Sequence, residues 1–227
     1  MDKVLIAVKS CFADRDGGFH DPIRKTWGSQ LPPNVDLRFF VGSPSLVRAT
    51  ECLQRDEICL QVGDDYHSLP WKTKAILGWF LGRDYEYIFL CDTDSYVMLP
   101  KLITCGFENY DYMGVNTWPW GETRAYDAPN RDGVVTHLPK CYGWASGGFG
   151  YFLSRKAAEF VAKETPQIWA EDMFVGQVLG PLIKKGEIRV GNLRQGDVAY
   201  HYTRTQTEWS YKPELKWMEQ MHARHGQ

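Results

Sequence analysis

Two aspartates one residue apart, Asp92 and Asp94, are the residues of this chain best placed to do chemistry. Their spacing alone says little, because a chain with sixteen aspartates yields about one such pair by chance, and Asp14-x-Asp16 is a second copy. Context separates the two. Asp92 follows the apolar run Tyr87-Ile88-Phe89-Leu90-Cys91, which reads as a buried strand. The pair therefore stands at a strand's carboxyl end, where open α/β sheets bind ligands. Strand alternation aims both carboxylates to one side. Two hard oxygen donors with room for diphosphate oxygens suit Mg²⁺ or Mn²⁺. Aspartates that merely end a strand would read the same way.

A second carboxylate pair, Glu171-Asp172, opens a helical segment. Acidic residues in a first helical turn are favoured by the helix dipole, which is one reading. The other makes Asp172 a general base, which attack by a hydroxyl on a sugar carbon requires within hydrogen-bond reach. His201 sits in the aromatic strand Tyr200-His201-Tyr202, as a packed core histidine or as a nitrogen ligand completing a metal site begun by Asp94. A mixed nitrogen and oxygen set suits Mn²⁺ better than Mg²⁺.

Residues 143–150 hold four glycines in eight, among them Gly147 and Gly148. The stretch has neither Rossmann nor P-loop spacing, so it is a tight turn or a place where backbone passes close to a bulky sugar. Arg24, Lys25 and Lys72 could neutralise phosphate or pair with acids. Trp118, Trp120, Trp144 and Tyr151 could stack on a sugar face, although a core claims such rings as readily. There is no G-x-S-x-G elbow and no H-E-x-x-H, which leaves a serine hydrolase or a zinc enzyme without support.

The elements that must position these groups alternate. Val4–Val8, Leu37–Val41, Ile58–Val62, Tyr87–Cys91 and Tyr112–Val115 read as strands. Helices are expected after Asp21-Pro22, weakly over Pro44–Arg55, over Ser68–Leu81, from Leu99-Pro100, over Ser154–Lys163 and over Glu171–Leu179. In the strongest, Trp71, Ala75, Ile76, Trp79 and Phe80 share a face and Lys72 lies off it. Residues around Asp14-x-Asp16 and 117–145 read as loops, and Ile188–Val190 and Val198–Tyr202 as short strands. The pattern implies an α/β layer fold with a mainly parallel sheet flanked by helices.

At 227 residues and 44% apolar content the chain can bury roughly 70% of its surface as one domain, and no linker marks a seam. Its charge, 26 basic against 28 acidic residues, is −2, and no basic block offers an extended nucleic-acid surface. No apolar stretch is long enough for a transmembrane segment, and the first residues lack a signal peptide's core. A cytoplasmic location is the expectation, or a lumenal one for an excised domain. Cys91 reads as a buried thiol, and the other five cysteines as free or paired.

In order, these pieces resemble the β1,3-glycosyltransferase family, which includes animal β1,3-galactosyltransferases and Fringe-type enzymes. Ile23-Arg24-Lys25-Thr26-Trp27-Gly28 is similar to its I-R-x-T-W-G, and Phe40-Val41-Gly42 to the end of its F-x-x-G strand. Tyr66 to Thr73 follows the Y-x-N-L-x-x-K-T of the family, just after Asp65 and with Ser68 for the asparagine. Asp92-Thr93-Asp94 stands where the family has D-D-D, with Thr93 for the middle aspartate. Residues 147–154 parallel G-x-G-Y-x-L-S, and Glu171 to Gly176 parallel E-D-V-x-x-G.

The resemblance implies a GT-A type fold for nucleotide-diphospho-sugar transfer. Residues 1–116 would form the nucleotide-binding half and 117–227 the acceptor and catalytic half of one domain. It implies an inverting, metal-dependent hexosyltransferase, of β1,3 type, moving a sugar from a UDP-sugar to a hydroxyl of a glycan or glycoconjugate. Asp94, His201 and Asp92 would hold Mn²⁺ (or Mg²⁺), and Asp172 would be the base. Arg24, Lys72, Thr93, Gly147 and Gly148 would line the donor with the two aspartates, and Trp118, Trp120, Trp144 and Glu171 the acceptor. A retaining GT-A enzyme and a non-catalytic UDP-sugar or glycan-binding protein are the alternatives.

Overall fold

The computed structural model of the protein describes residues 2–46, 53–130, 132–202 and 215–226. In chain order the strands are β1 (Val4–Lys9), β2 (Val35–Gly42), β3 (Glu57–Leu60), β4 (Tyr87–Asp92), β5 (Ser95–Val97), β6 (Tyr112–Gly114), β7 (Thr123–Pro129), β8 (Val135–Tyr142), β9 (Tyr151–Ser154), β10 (Val190–Asn192) and β11 (Ala199–His201). The helices are α1 (Phe12–Asp16), α2 (His20–Lys25), α3 (Leu69–Leu81), α4 (Leu99–Thr104), α5 (Arg155–Lys163), α6 (Glu171–Lys184) and α7 (Leu215–His225).

Seven strands form one sheet in the order β10-β6-β9-β4-β1-β2-β3. Its pairings are parallel except those of β9, which runs antiparallel to both β4 and β6. All six residues of β1 are buried, as an unalternating apolar run in a sheet covered on both faces should be. Ile6, Val8, Phe39 and Phe89 pack on one face with α2, α4 and α7. Leu5, Ala7, Phe40, Ile88 and Leu90 pack on the other with α3, α5 and α6. Residues 151–154 and 190–192 belong to this sheet, so both halves of the chain build one core.

Several local expectations are corrected. The stretch around Asp14 is a short helix, α1, whose amide at Asp14 donates to the Cys11 thiol. Helix α2 begins at His20, ahead of Asp21-Pro22, and Pro22 falls within its first turn, where a missing N–H costs nothing. The stretch from Pro44 to Arg55 lies partly outside the described residues, and its described ends are not helical. In α3 the buried side chains are Pro70, Lys72, Thr73, Ile76, Leu77 and Phe80, while Trp71 is exposed. Lys72 is drawn inward because its ammonium donates to the Ser10 carbonyl and to Asp64 Oδ1, each at 2.6 Å.

Residues 117–145 are not mainly loop: β7 and β8 form an antiparallel hairpin. Most of its side chains are exposed, so no alternating apolar signal marks it. The Asn130 side chain shapes its tip, accepting from the amides of Asp132 and Val134. The base of the hairpin lies against α6, where a Cβ at Gly176 or Gly180 would collide with Trp144 or Tyr142.

Ser154 is as expected at the start of α5, its hydroxyl accepting from the Ala157 amide at 3.2 Å. The same hydroxyl donates to the buried Asp111 at 3.0 Å. Ser154→Ala should therefore destabilise the protein by about 1–2 kcal/mol in urea unfolding, the usual cost of a lost helix cap.

Candidate active site

The parallel register of β1 and β4 sets Lys9 beside Asp92 at the carboxyl end of the sheet. The Lys9 ammonium is 3.2 Å from Asp92 Oδ1 and pairs on its other side with Glu171 Oε1, at the start of α6. Its side chain is 1% exposed. Burial alone would push this ammonium down, but Asp92 and Glu171 outweigh it and hold the group charged. Glu171 is anchored further by Tyr151, whose hydroxyl donates to Oε2 at 2.8 Å. It is buried and faces these partners, not an open surface.

Asp172, the next residue, points elsewhere. Its Oδ2 accepts from the Gly147 amide at 3.0 Å and its Oδ1 from its neighbour Met173 at 2.8 Å. Burial and then the nearby Glu171 raise this carboxyl to about 6, against the pull of the Gly147 amide. Gly147 is required here. A Cβ on it would stand 2.5 Å from Glu171 Oε1 and 3.3 Å from Lys9 Nζ.

Strand β4 ends at Asp92, and Thr93-Asp94 form a turn into β5, so strand alternation does not govern Asp94. Asp92 is hemmed in by protein atoms, although 31% of its side chain still meets solvent, and burial raises its carboxyl against the opposing pull of Lys9. Strand β11 pairs with β5 and brings His201 opposite Ser95. His201 Nδ1 then lies 3.3 Å from Asp94 Oδ1. The two are close enough to attract but are not aligned as a hydrogen bond, and both atoms are buried without a hydrogen-bond partner. Burial lowers the imidazole's proton affinity, but Asp94 outweighs it and the net shift is upward. Gly148 lies against the imidazole, and a Cβ there would be 2.8 Å from the ring. The Ser95 hydroxyl donates to the Gly148 carbonyl at 2.9 Å and ties the glycine turn to the aspartate motif.

Other expected site residues are placed differently. Arg24 directs its guanidinium to Asp21, Asp56 and Glu57. Burial would raise the Glu57 carboxyl, but Arg24 and His20 bring it to about 2. Lys72 braces the loop after β1 through Ser10 and Asp64. Trp144 is buried among Trp118, Tyr126 and Met173, and Trp120 packs on Tyr112. Tyr151 is fully buried and offers no stacking face. Among the described residues no cluster of three or more His, Cys, Asp or Glu side chains is arranged to hold a metal ion.

Three residues here had no prominence in the sequence. Lys9 carried a faint signal, a charge at the end of a wholly apolar strand. Asp14 belonged to the chance copy of the aspartate pair, yet it accepts from Thr93 Oγ1 at 2.9 Å. Ser95 had no signal at all.

The sheet, its flanking helices and the carboxylates at its carboxyl edge constitute a GT-A-like nucleotide-sugar transferase fold. A galactosyltransferase family model matches residues 20–184. The chain belongs to that family, which includes the β1,3-galactosyltransferases and Fringe-type enzymes, and it is a UDP-sugar-dependent hexosyltransferase. No curated protein matches it in sequence. Among solved structures it is similar to a 4-diphosphocytidyl-2C-methyl-D-erythritol synthase from Anaerococcus prevotii DSM 20548, at 8% identity and a TM-score of 0.49, over 100% of this chain and 97% of that one. No helix among the described residues is long and apolar enough to cross a membrane.

The raised Asp172 carboxyl has a consequence for stability. Because the folded protein binds this proton more tightly than the unfolded chain, its contribution is complete below about pH 4 and fades as pH rises to about 6. Asp172→Asn should remove that slope. Urea unfolding should find the variant more stable than wild type by about 1–2 kcal/mol at pH 7, with the gain shrinking towards pH 4.

Proposed function

We propose that the protein is an inverting, metal-dependent glycosyltransferase that moves a hexose from a UDP-sugar to a hydroxyl of a glycan or glycoconjugate. One observation carries this reading: the aspartate motif and the acidic start of α6, far apart in sequence, meet at a single ammonium, that of Lys9. Donor and base are thereby given adjacent places. Residues 1–116 supply the nucleotide side and 117–227 the acceptor side.

In this reading Asp172 takes the proton of the acceptor hydroxyl as that oxygen bonds to the anomeric carbon. The bond from that carbon to the diphosphate breaks in the same displacement, which inverts the centre. A carboxylate with a proton affinity near neutrality, aimed by the Gly147 amide, suits a general base. Glu171 holds the helix that carries it.

The residues present fit a divalent cation. Asp94 Oδ1 and His201 Nδ1 are buried, face each other and lack hydrogen-bond partners, as donors awaiting a shared ligand would. Oxygen with nitrogen suits Mn²⁺. Asp92, with part of its carboxylate open, would complete the protein's share of the ligands or face the nucleotide. When bound, the ion supplies Lewis acidity to the departing diphosphate. Thr93, Gly147 and Gly148 line the same edge of the sheet.

Incubation with a panel of UDP-sugars and Mn²⁺, scored by mass spectrometry for transfer and donor hydrolysis, tests the activity. Absence of both with every donor would leave a binding protein. The anomeric configuration of the product, read by NMR, should be opposite to that of the donor, and retention would exclude the single displacement. Asp172→Asn should lower turnover by roughly 100-fold or more while UDP affinity changes little. The acid limb of the wild-type rate profile should fall as pH drops through about 6, where Asp172 gains its proton. Asp94→Ala should abolish the Mn²⁺-dependent part of UDP binding in calorimetry.

A further inference from the structure

We propose that Lys9 is a positioning residue for the transfer reaction: it fixes the distance between the donor-side carboxylate Asp92 and the base-bearing start of α6. The inference rests on the proposed role of Asp172.

Lys9 is the last residue of β1, and its strand neighbours leave its backbone no freedom, since it is in register with Phe40 on one side and Asp92 on the other. Its ammonium lies against the glycine turn, where a Cβ on Gly147 would stand 3.3 Å from Nζ and only 2.5 Å from its partner Glu171 Oε1. There it meets Asp92 and Glu171, and the Tyr151 ring lies 5.7 Å away. Asp92 and Glu171 come from elements that are not strand neighbours. Among the described residues no other cation pairs with both, and Glu171 has no salt-bridge partner but Lys9.

A lone ion pair would do for packing α6 onto the sheet. A cation shared between the two sides of a reaction centre does more. Asp92, Glu171 and Asp172 are three carboxylates crowded into one corner, and without a central positive charge their repulsion would spread them. Asp172 follows Glu171 directly, so displacement of Glu171 carries the base with it. A shift of about 1 Å at a reacting group can cost on the order of 100-fold in rate.

Removing Lys9 alone would leave Glu171 buried and unpaired, which is strongly destabilising. The test therefore uses Lys9→Met/Glu171→Gln, in which both charges go and the amide oxygen introduced in place of the carboxylate can still accept from Tyr151. With the donor and acceptor identified for the wild type, the double variant should melt within about 3 °C of it. Its kcat should fall by about 30-fold or more while its KM for the UDP-sugar stays within about threefold. A folded double variant with kcat within threefold of wild type would overturn the inference, because a purely structural pair is replaceable. If the double variant does not fold, Glu171→Gln alone decides by the same kcat and KM criteria, since it loosens the grip on α6 and keeps Lys9 beside Asp92. Failure of the reading beneath it would look different: Asp172→Asn would then turn over like wild type.

Discussion

A buried ammonium between carboxylates is costly unless every partner is in place, and Lys9 has its partners from separate parts of the chain. Asp92 comes from the adjacent strand, Glu171 from a helix much further along the sequence, and Tyr151 and Thr73 secure the far side of Glu171. The interaction is strong because it is dry, and demanding for the same reason. It requires β1 and β4 to be neighbours, α6 to start at their carboxyl ends, and the turn between them to be glycine. Most of what is distinctive about the sheet edge follows from these three demands.

The glycine turn at residues 147–150 shows how closely those demands fit. Gly147 makes way for Glu171 and Lys9 while its amide holds Asp172. Gly148 makes way for His201, and its carbonyl is held by Ser95, which also accepts from the Asp92 amide. One short stretch of backbone thus touches Asp172, His201 and Ser95, the residue that follows Asp94. Close approach of backbone, rather than a nucleotide-binding fingerprint, is the reason for glycine here.

The substitution of Thr93 within the aspartate motif has a physical counterpart in α1. A threonine cannot supply a carboxylate, but its hydroxyl donates to Asp14, which brings an acid to the middle of the motif from the helix after β1. The cations that a sequence reading would offer to phosphate are held elsewhere: Arg24 by Asp56 and Glu57 at the start of β3, and Lys72 by the Ser10 carbonyl and Asp64 in the loops after β1 and β3. Charge type alone did not distinguish a ligand-facing cation from one that braces a loop.

The sequence by itself determined the alternation of strands and helices, the buried central strands and the position of Asp92 at a strand end, because apolar periodicity and caps are local signals. It also carried the ordered motifs by which the family is legible. It could not show the exposed hairpin, which buries too few residues to have a pattern, nor the inward turn of Lys72, which depends on acceptors at Ser10 and Asp64. That Lys9, Asp92 and Glu171 meet was decided only by the tertiary structure. Their contact depends on which strands are neighbours and where α6 begins, and no spacing along the chain encodes a distance across a sheet.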